Sequence, residues 1–193
     1  DVRISNVTDT GFSVSWLTES EATGDVVLDP APALLRDGQG QPTVTTGTAH
    51  LVTLSGLEPR TPYTFSVKSG ELVDNNQGKL YSVTTGPTLA PVPNSDNIYG
   101  TIAEAARTGV DGCLVYVQIL LGGAGGSEGV SALLAAQTDS VGQWGLNLGN
   151  TRTSTLDAYY RYSSTLSTLG VEVQCSPTRQ GYAEILTSDD QDT

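Results

Sequence analysis

Methionine is absent from this 193-residue chain, histidine occurs once, cysteine twice, and Lys plus Arg number only nine. A translated chain begins with Met, so one that opens on Asp1 reads as a processed or excised piece; cleavage of an export signal and an arbitrary boundary are both open. Charged residues make up 16%, against about 25% in ordinary soluble domains. Ser, Thr and Gly fill the gap, as in exported β-rich proteins. The formal net charge of −12 repels phosphate backbones and anionic lipid heads. So few cations also release few counterions, which argues against nucleic-acid binding. Long apolar runs are missing as well. The longest, CLVYVQILL (113–121), falls short of the ~20 residues that cross a bilayer, so no membrane insertion is expected.

What is present is period-two alternation. Phe12, Val14 and Trp16 alternate with Ser13 and Ser15, and Tyr63, Phe65 and Val67 with Thr64 and Ser66. Trp144, Leu146 and Leu148 alternate with Gly145 and Asn147, and Val171, Val173 and Cys175 with Glu172 and Gln174. Such a pattern marks strands with one buried face and one wet face. Strands are predicted near 2–7, 12–17, 23–28, 43–46, 49–54, 62–69 and 79–84. They are separated by turn chemistry such as Asp9-Thr10-Gly11 and Asp74-Asn75-Asn76. PTLAPVPNSDN (87–97) has three prolines and no period. Proline cannot donate to a ladder, so this run reads as a semi-rigid linker. Strands resume near 98–103, 112–121, 130–138, 143–148, 170–175 and 181–187. Residues 154–170 leave strand, short helix and long loop open. The acidic tail 187–193 is expected to fray.

The first half resembles a fibronectin type III domain. VTDTGFSVSW (7–16), LSGLEPRTPYTFSV (54–67) and KLYSVTT (79–85) carry the likeness. It implies that Trp16 sits in the core, that Leu57 plugs one end of the sandwich, and that Tyr63 forms a corner through its hydroxyl. DPAPALLRDGQGQP (29–42) replaces the family's compact connection with a longer loop. IYGTI (98–102), CLVYVQI (113–119), TDSVGQW (138–144) and GLNL (145–148) give the second half a resemblance to transthyretin-like, or carboxypeptidase-regulatory-like, sandwiches of secreted bacterial proteins. GGAGGSEG (122–129) and the segment 149–168 depart from that pattern. The expected fold is all-β: two tandem antiparallel immunoglobulin-like β-sandwiches, 1–88 and 98–193, joined by a linker over 89–97. Trp16, Leu57, Tyr63 and Trp144 define it. The two families imply extracellular spacer, adhesion and accessory roles, and a fold by itself licenses no activity.

Candidate chemistry is sparse. Gly125-Gly126-Ser127-Glu128-Gly129 fits the G-x-S-x-G nucleophile elbow by letter. The partner histidine should follow the serine, and the sole histidine, His50, lies upstream in the other half. The match therefore reads as a flexible glycine-rich connection. His50 alone cannot make a zinc site and reads as a strand-edge residue with local hydrogen bonds. Glu19, Glu21 and Asp25, and Asp189, Asp190 and Asp192 in the tail, form acidic clusters. No D-x-D-x-D-G loop accompanies them, so calcium is a weak candidate and no cofactor is expected. RDG at 36–38 is not the integrin tripeptide. AYYRY (158–162) offers Tyr159, Tyr160, Arg161 and Tyr162 as a binding surface for sugars or proteins, with Tyr99 and Tyr182 as neighbours; lining of the second core is the other reading for them. Cys113 shares parity with Val115 and Val117, and Cys175 with Val171 and Val173. Both are expected to face the core and to form a disulfide, two buried free thiols being the alternative.

These readings predict a non-catalytic exported structural or adhesive protein of a bacterial-type cell surface, a candidate repeating subunit of an extracellular filament. Self-association or other surface proteins are the expected partners. An accessory carbohydrate- or protein-binding module of a secreted multidomain enzyme is the alternative, and an independent enzyme is disfavoured.

Overall fold

In a computed structural model, residues 1–29, 44–105 and 108–189 are described. The loop over 30–42, with its RDG, and the tail acids Asp190 and Asp192 lie outside the described residues. The chain divides into two compact units, Asp1–Thr88 and Leu89–Thr193. Among the described residues both are built of antiparallel strands, with one 3-10 turn at Leu148–Asn150.

In the first unit the strands are β1 (Arg3–Ser5), β2 (Gly11–Asp29), β3 (Val44–Ser55), β4 (Pro62–Ser69), β5 (Leu72–Asp74) and β6 (Tyr81–Thr84). Two pairs of expected strands merge: 12–17 with 23–28 into β2, and 43–46 with 49–54 into β3. The reason lies in a register shift between Leu17 and Ala22. Before it, β2 pairs with β1 and β3; beyond it, β2 keeps β3 as far as Asp25↔Val44 and takes on β4 from Gly24↔Ser69 to Asp29↔Thr64. The two strands thus run on together past an irregularity instead of stopping at a turn. β4 carries β6 and the short β5, which alternation did not foreshadow. Phe12, Val14, Trp16, Val26, Leu28, Val52, Leu54, Leu57, Phe65 and Val67 fill the core. Each such side chain contributes about 1.5–3 kcal/mol on burial. The Phe12 and Phe65 rings lie 5.7 Å apart between centroids.

The wet face expected at Ser13 and Ser15 is corrected, since both are fully buried. β2 is central here, flanked on both sides. Asn6 Nδ2 donates to Ser13 Oγ at 3.0 Å, and that hydroxyl shares a 2.9 Å hydrogen bond with Thr53 Oγ1. Small hydroxyls that bond one another tolerate burial at little cost.

The second unit holds β7 (Asn97–Thr101), β8 (Leu114–Leu121), β9 (Leu134–Gln137), β10 (Gln143–Asn147), β11 (Thr168–Ser176) and β12 (Arg179–Leu186). β10 and β7 form a two-stranded sheet; the other is four-stranded, in the order β12-β11-β8-β9. Ile98, Val115, Val117, Ile119, Leu148, Tyr160, Leu169 and Val171 make the core, with Trp144 and Tyr162 packed against it. The expected strand over 130–138 shortens to β9, preceded by an isolated bridge from Ser131 to Thr153. The open segment 154–170 resolves as irregular extended chain, with an Arg152↔Tyr159 bridge, until β11 begins. The end of the expected linker is built into this unit: Leu148 N donates to Asp96 O at 2.7 Å, and Asp96 N to Asn147 Oδ1 at 2.9 Å.

Cys113 and Cys175 form a disulfide across 62 residues of sequence. Cys113 is fully buried, but Cys175 is only half-buried, a departure from the expected parity. β11 carries a register shift between Gln174 and Ser176, so alternation ends just where Cys175 stands. The bridge therefore joins the end of β11 to the residue before β8, its neighbour in the same sheet.

Candidate binding surfaces

The stretch GLEPRTPYTFSV (56–67) is a corner. Leu57 is buried in the first core, while Glu58 and Arg60 are exposed. Tyr63 Oη accepts the Glu58 N–H at 2.9 Å, and Thr85 Oγ1 donates to Glu58 O at 2.6 Å and accepts from Thr61 N at 2.9 Å. These bonds tie the turn to Tyr63 and Thr85, while the neighbouring acid and base face water.

His50 lies on β3, which among the described residues pairs only with β2, yet its side chain is fully buried in the first unit. Its ring stacks on Trp16 at 4.8 Å between centroids. Trp16 Nε1 in turn donates to Ser69 Oγ at 2.9 Å. Nδ1 lies 2.9 Å from Thr45 Oγ1, and Nε2 lies 3.3 Å from Thr18 Oγ1. The Thr18 hydroxyl gives its proton to Ser20 O at 2.8 Å. Nε2 is then left to donate, and in the neutral ring that burial favours Nδ1 accepts from Thr45 Oγ1. Burial lowers its pKa from the ordinary 6.5. Gly24 is required beside it, because a Cβ there would collide with the imidazole and with the Trp16 ring.

The G-x-S-x-G loop is not a loose connection. Ser127 N donates to Arg161 O at 2.7 Å, and Ser127 Oγ accepts from Arg161 N at 2.9 Å. Tyr160 Oη donates to the carbonyls of Gly129 and Ser127. The serine clamps the loop to the 160–161 backbone, and the sole histidine of the sequence, His50, belongs to the other unit.

The surface expected at 158–162 is corrected at its centre. Tyr160 is only 4% exposed and belongs to the second core. Tyr162 also packs on that core and donates through its hydroxyl to Asp96 Oδ2 at 2.5 Å. Tyr159 receives the buried Arg152 guanidinium at 5.9 Å from its ring centroid, and Arg161 is exposed. Period two explains the split, since 160 and 162 share a side and face inward. That parity was available from the sequence, but the absence of a regular strand at 154–167 hid it.

Glu19 and Glu21 are exposed, and Asp25 uses Oδ1 to accept its neighbour's Val26 N–H at 2.8 Å. Among the described residues, no three His, Cys, Asp or Glu side chains converge as metal ligands. Likewise, among the described residues no helix is long and apolar enough to cross a membrane. A cavity of about 640 Å³ opens in the first unit beside Trp16, Leu17, Leu72 and Val73. Asp74 on its rim is already taken by the Tyr81 hydroxyl at 2.8 Å.

Among the described residues, two open surfaces stand out. The first is β12, the outer strand of the four-stranded sheet, which among the described residues pairs only with β11. Seven of its eight residues are exposed, Tyr182 by 62%. Thr187 N donates to Ser167 O. By the alternation of an antiparallel ladder, Gly181, Ala183 and Ile185 turn their backbone groups toward β11, and Gln180, Tyr182, Glu184 and Leu186 turn theirs outward. The second surface is the outer face of the β7/β10 sheet. Its inner face holds Ile98, Leu146 and Trp144, the last lying over Gly100, where a Cβ would come within 2.9 Å of the indole. Its outer face holds Tyr99, 50% exposed, directly across from Gly145. Tyr99 and Tyr182, grouped in the sequence reading, thus stand on different sheets.

No curated protein matches the chain. The family model of the fibronectin type III domain matches residues 1–83, which supports reading the first unit as such a domain.

Proposed function

We propose that the chain is a non-catalytic structural or adhesive unit of a bacterial-type cell exterior, and that it repeats in a filament by pairing strand edges between copies. The fibronectin type III domain is a common extracellular adhesive and structural module, and the Cys113–Cys175 bridge fits an oxidising exterior. The observation that carries the assembly is β12. It presents roughly 26 Å of edge at about 3.3 Å per residue. It has no proline, and its two charges, Arg179 and Glu184, are of opposite sign. Monomeric proteins guard such edges with charged side chains, proline or a bulge; the outward positions of β12 carry one charge, Glu184, and neither lysine nor proline, so a second chain can extend the ladder. Negative-stain microscopy and light scattering over a concentration series should show fibres or oligomers. Tyr182→Lys, at an exposed outward position, should suppress them while leaving the fold intact. Strictly monomeric behaviour at high concentration would remove the filament reading. The second reading, an accessory binding module of a secreted multidomain enzyme, is favoured by the Tyr99 face.

A further inference from the structure

We propose that the outer face of the β7/β10 sheet binds a neutral polysaccharide chain, with Tyr99 as its stacking platform and Gly145 as the gap that lets a sugar ring approach. This deepens the adhesive reading, on which it rests, by naming the chemistry held.

Gly145 carries the argument first. Glycine inside a strand weakens it, and its usual reasons are a bulge, a left-handed φ, a crowded neighbour or the close approach of a ligand. The β7/β10 register runs unbroken from Gln143↔Thr101 to Asn147↔Asn97, so there is no bulge. Gly145 is not among the residues of positive φ. Nor is it crowded, since a Cβ would stand 3.5 Å from Ile98 O and 3.9 Å from Tyr99 Cβ, ordinary contacts. Gly100, on the inner face of the same sheet, is explained by the indole above it; Gly145 has no such cover. What its missing side chain does is leave space beside the Tyr99 ring.

The second observation is that space. A shallow depression of about 310 Å³ touches Asn97, Ile98, Tyr99, Gly145, Leu146 and Asn147, and another of about 410 Å³ touches Tyr99, Gly100, Thr101, Gln143 and Trp144. Tyr99 is common to both, so a ligand laid over its ring reaches beyond it along the strands. A polymer makes use of that length, and a single small molecule does not. Asn147 holds the wall, because its Oδ1 accepts from both Asp96 N and Gly149 N. Thr101 and Gln143 stand exposed on the far rim as donors and acceptors.

Charge selects the ligand. The outer face is built of Asn97, Tyr99, Thr101, Gln143, Gly145 and Asn147, without one ionisable group save the phenol, on a chain of net charge −12. A basic peptide would find no carboxylate on this face, and an acidic polymer would be repelled by the whole molecule. A neutral sugar suits it: its C–H face packs on an aromatic ring and its hydroxyls meet amide and hydroxyl side chains.

Affinity electrophoresis of the full chain through gels containing hydroxyethylcellulose, laminarin, yeast mannan or amylose tests the site, with polygalacturonate as the acidic control. Retardation by at least one neutral polymer is expected. Tyr99→Ala and Gly145→Val should each weaken it about tenfold or more, and Tyr99→Phe should keep most of it. Gly145→Val fills the gap from the outer face, meeting Tyr99 at ordinary contact distance and leaving the inner-face side chains unaltered, so weakened retardation at an unchanged urea midpoint separates a ligand site from a folding role. Three outcomes would overturn the proposal: no retardation by any neutral polymer, retardation by polygalacturonate alone, or retardation unchanged in both Tyr99→Ala and Gly145→Val. Light scattering on the same samples keeps the two readings apart. Assembly without glycan retention sinks this inference alone, and retention without assembly sinks the filament alone.

Discussion

At the scale of single residues, His50 is the most consequential. Its neutral ring is walled in by Trp16, Gly24, Thr18 and Thr45. Burial lowers its pKa in the folded state below the ordinary 6.5. Below that ordinary value the unfolded chain binds the proton more readily than the folded one. Its contribution is therefore fully present above about pH 6.5 and declines as pH falls toward the folded value. Urea denaturation of the first unit should show this acid-side loss, and His50→Leu should flatten that part of the pH profile. A profile unchanged by the substitution would show that the ring does not govern it. Tyr63 offers a smaller test. Tyr63→Phe removes the acceptor for the Glu58 N–H in a corner that water reaches. A loss of about 1 kcal/mol in urea is expected, and a loss of several would mean that the corner nucleates more than a turn.

Elements show where alternation is enough and where it fails. Phe12, Val14 and Trp16 point inward as the period requires. The serines between them are buried too, because a strand flanked on both sides can cover small hydroxyls. Length is another failure: nothing local marks Leu17–Ala22 as a shift of register inside one long strand rather than a turn between two, because register is a property of the pair β2 and β3. In the second unit the disulfide ties β8 to β11 over 62 residues. Loop-closure entropy puts its worth at about 4 kcal/mol at most. Replacing both cysteines, Cys113→Ala with Cys175→Ser, should lower the urea midpoint of the second unit, read by Trp144 fluorescence. Hydrogen exchange should quicken most at the β8 and β11 amides. An unchanged midpoint would mean that the bridge restrains little of the unfolded chain.

On the scale of the whole molecule, charge and edges compete. A net charge of −12 makes copies repel one another, while β12 offers an open ladder. Repulsion between exposed charges is screened within about 8 Å at physiological salt. Assembly through β12 should therefore strengthen from low to moderate ionic strength, read by light scattering, and Tyr182→Lys should abolish it at every salt concentration. Assembly that weakens as salt rises would point to an ion-paired contact instead. Candidate chemistry divides the same way. The fit of Ser127 to a nucleophile motif is a matter of letters, whereas its side chain spends its acceptor on the Arg161 N–H.

The sequence by itself determined the class of fold, because period-two alternation and turn chemistry are local; its resemblance to a fibronectin type III domain marked the corner at Leu57 and Tyr63, and it left a disulfide and two free thiols both open for Cys113 and Cys175. Tertiary structure alone decided which aromatic rings are open. Tyr160 lies in an irregular segment whose inward turn is set by the core it completes, and Tyr99 lies opposite Gly145 only because β10 pairs with β7 from across the second unit. Which side chains meet on a face depends on register between strands far apart in sequence, and register is settled by packing, not by either strand alone.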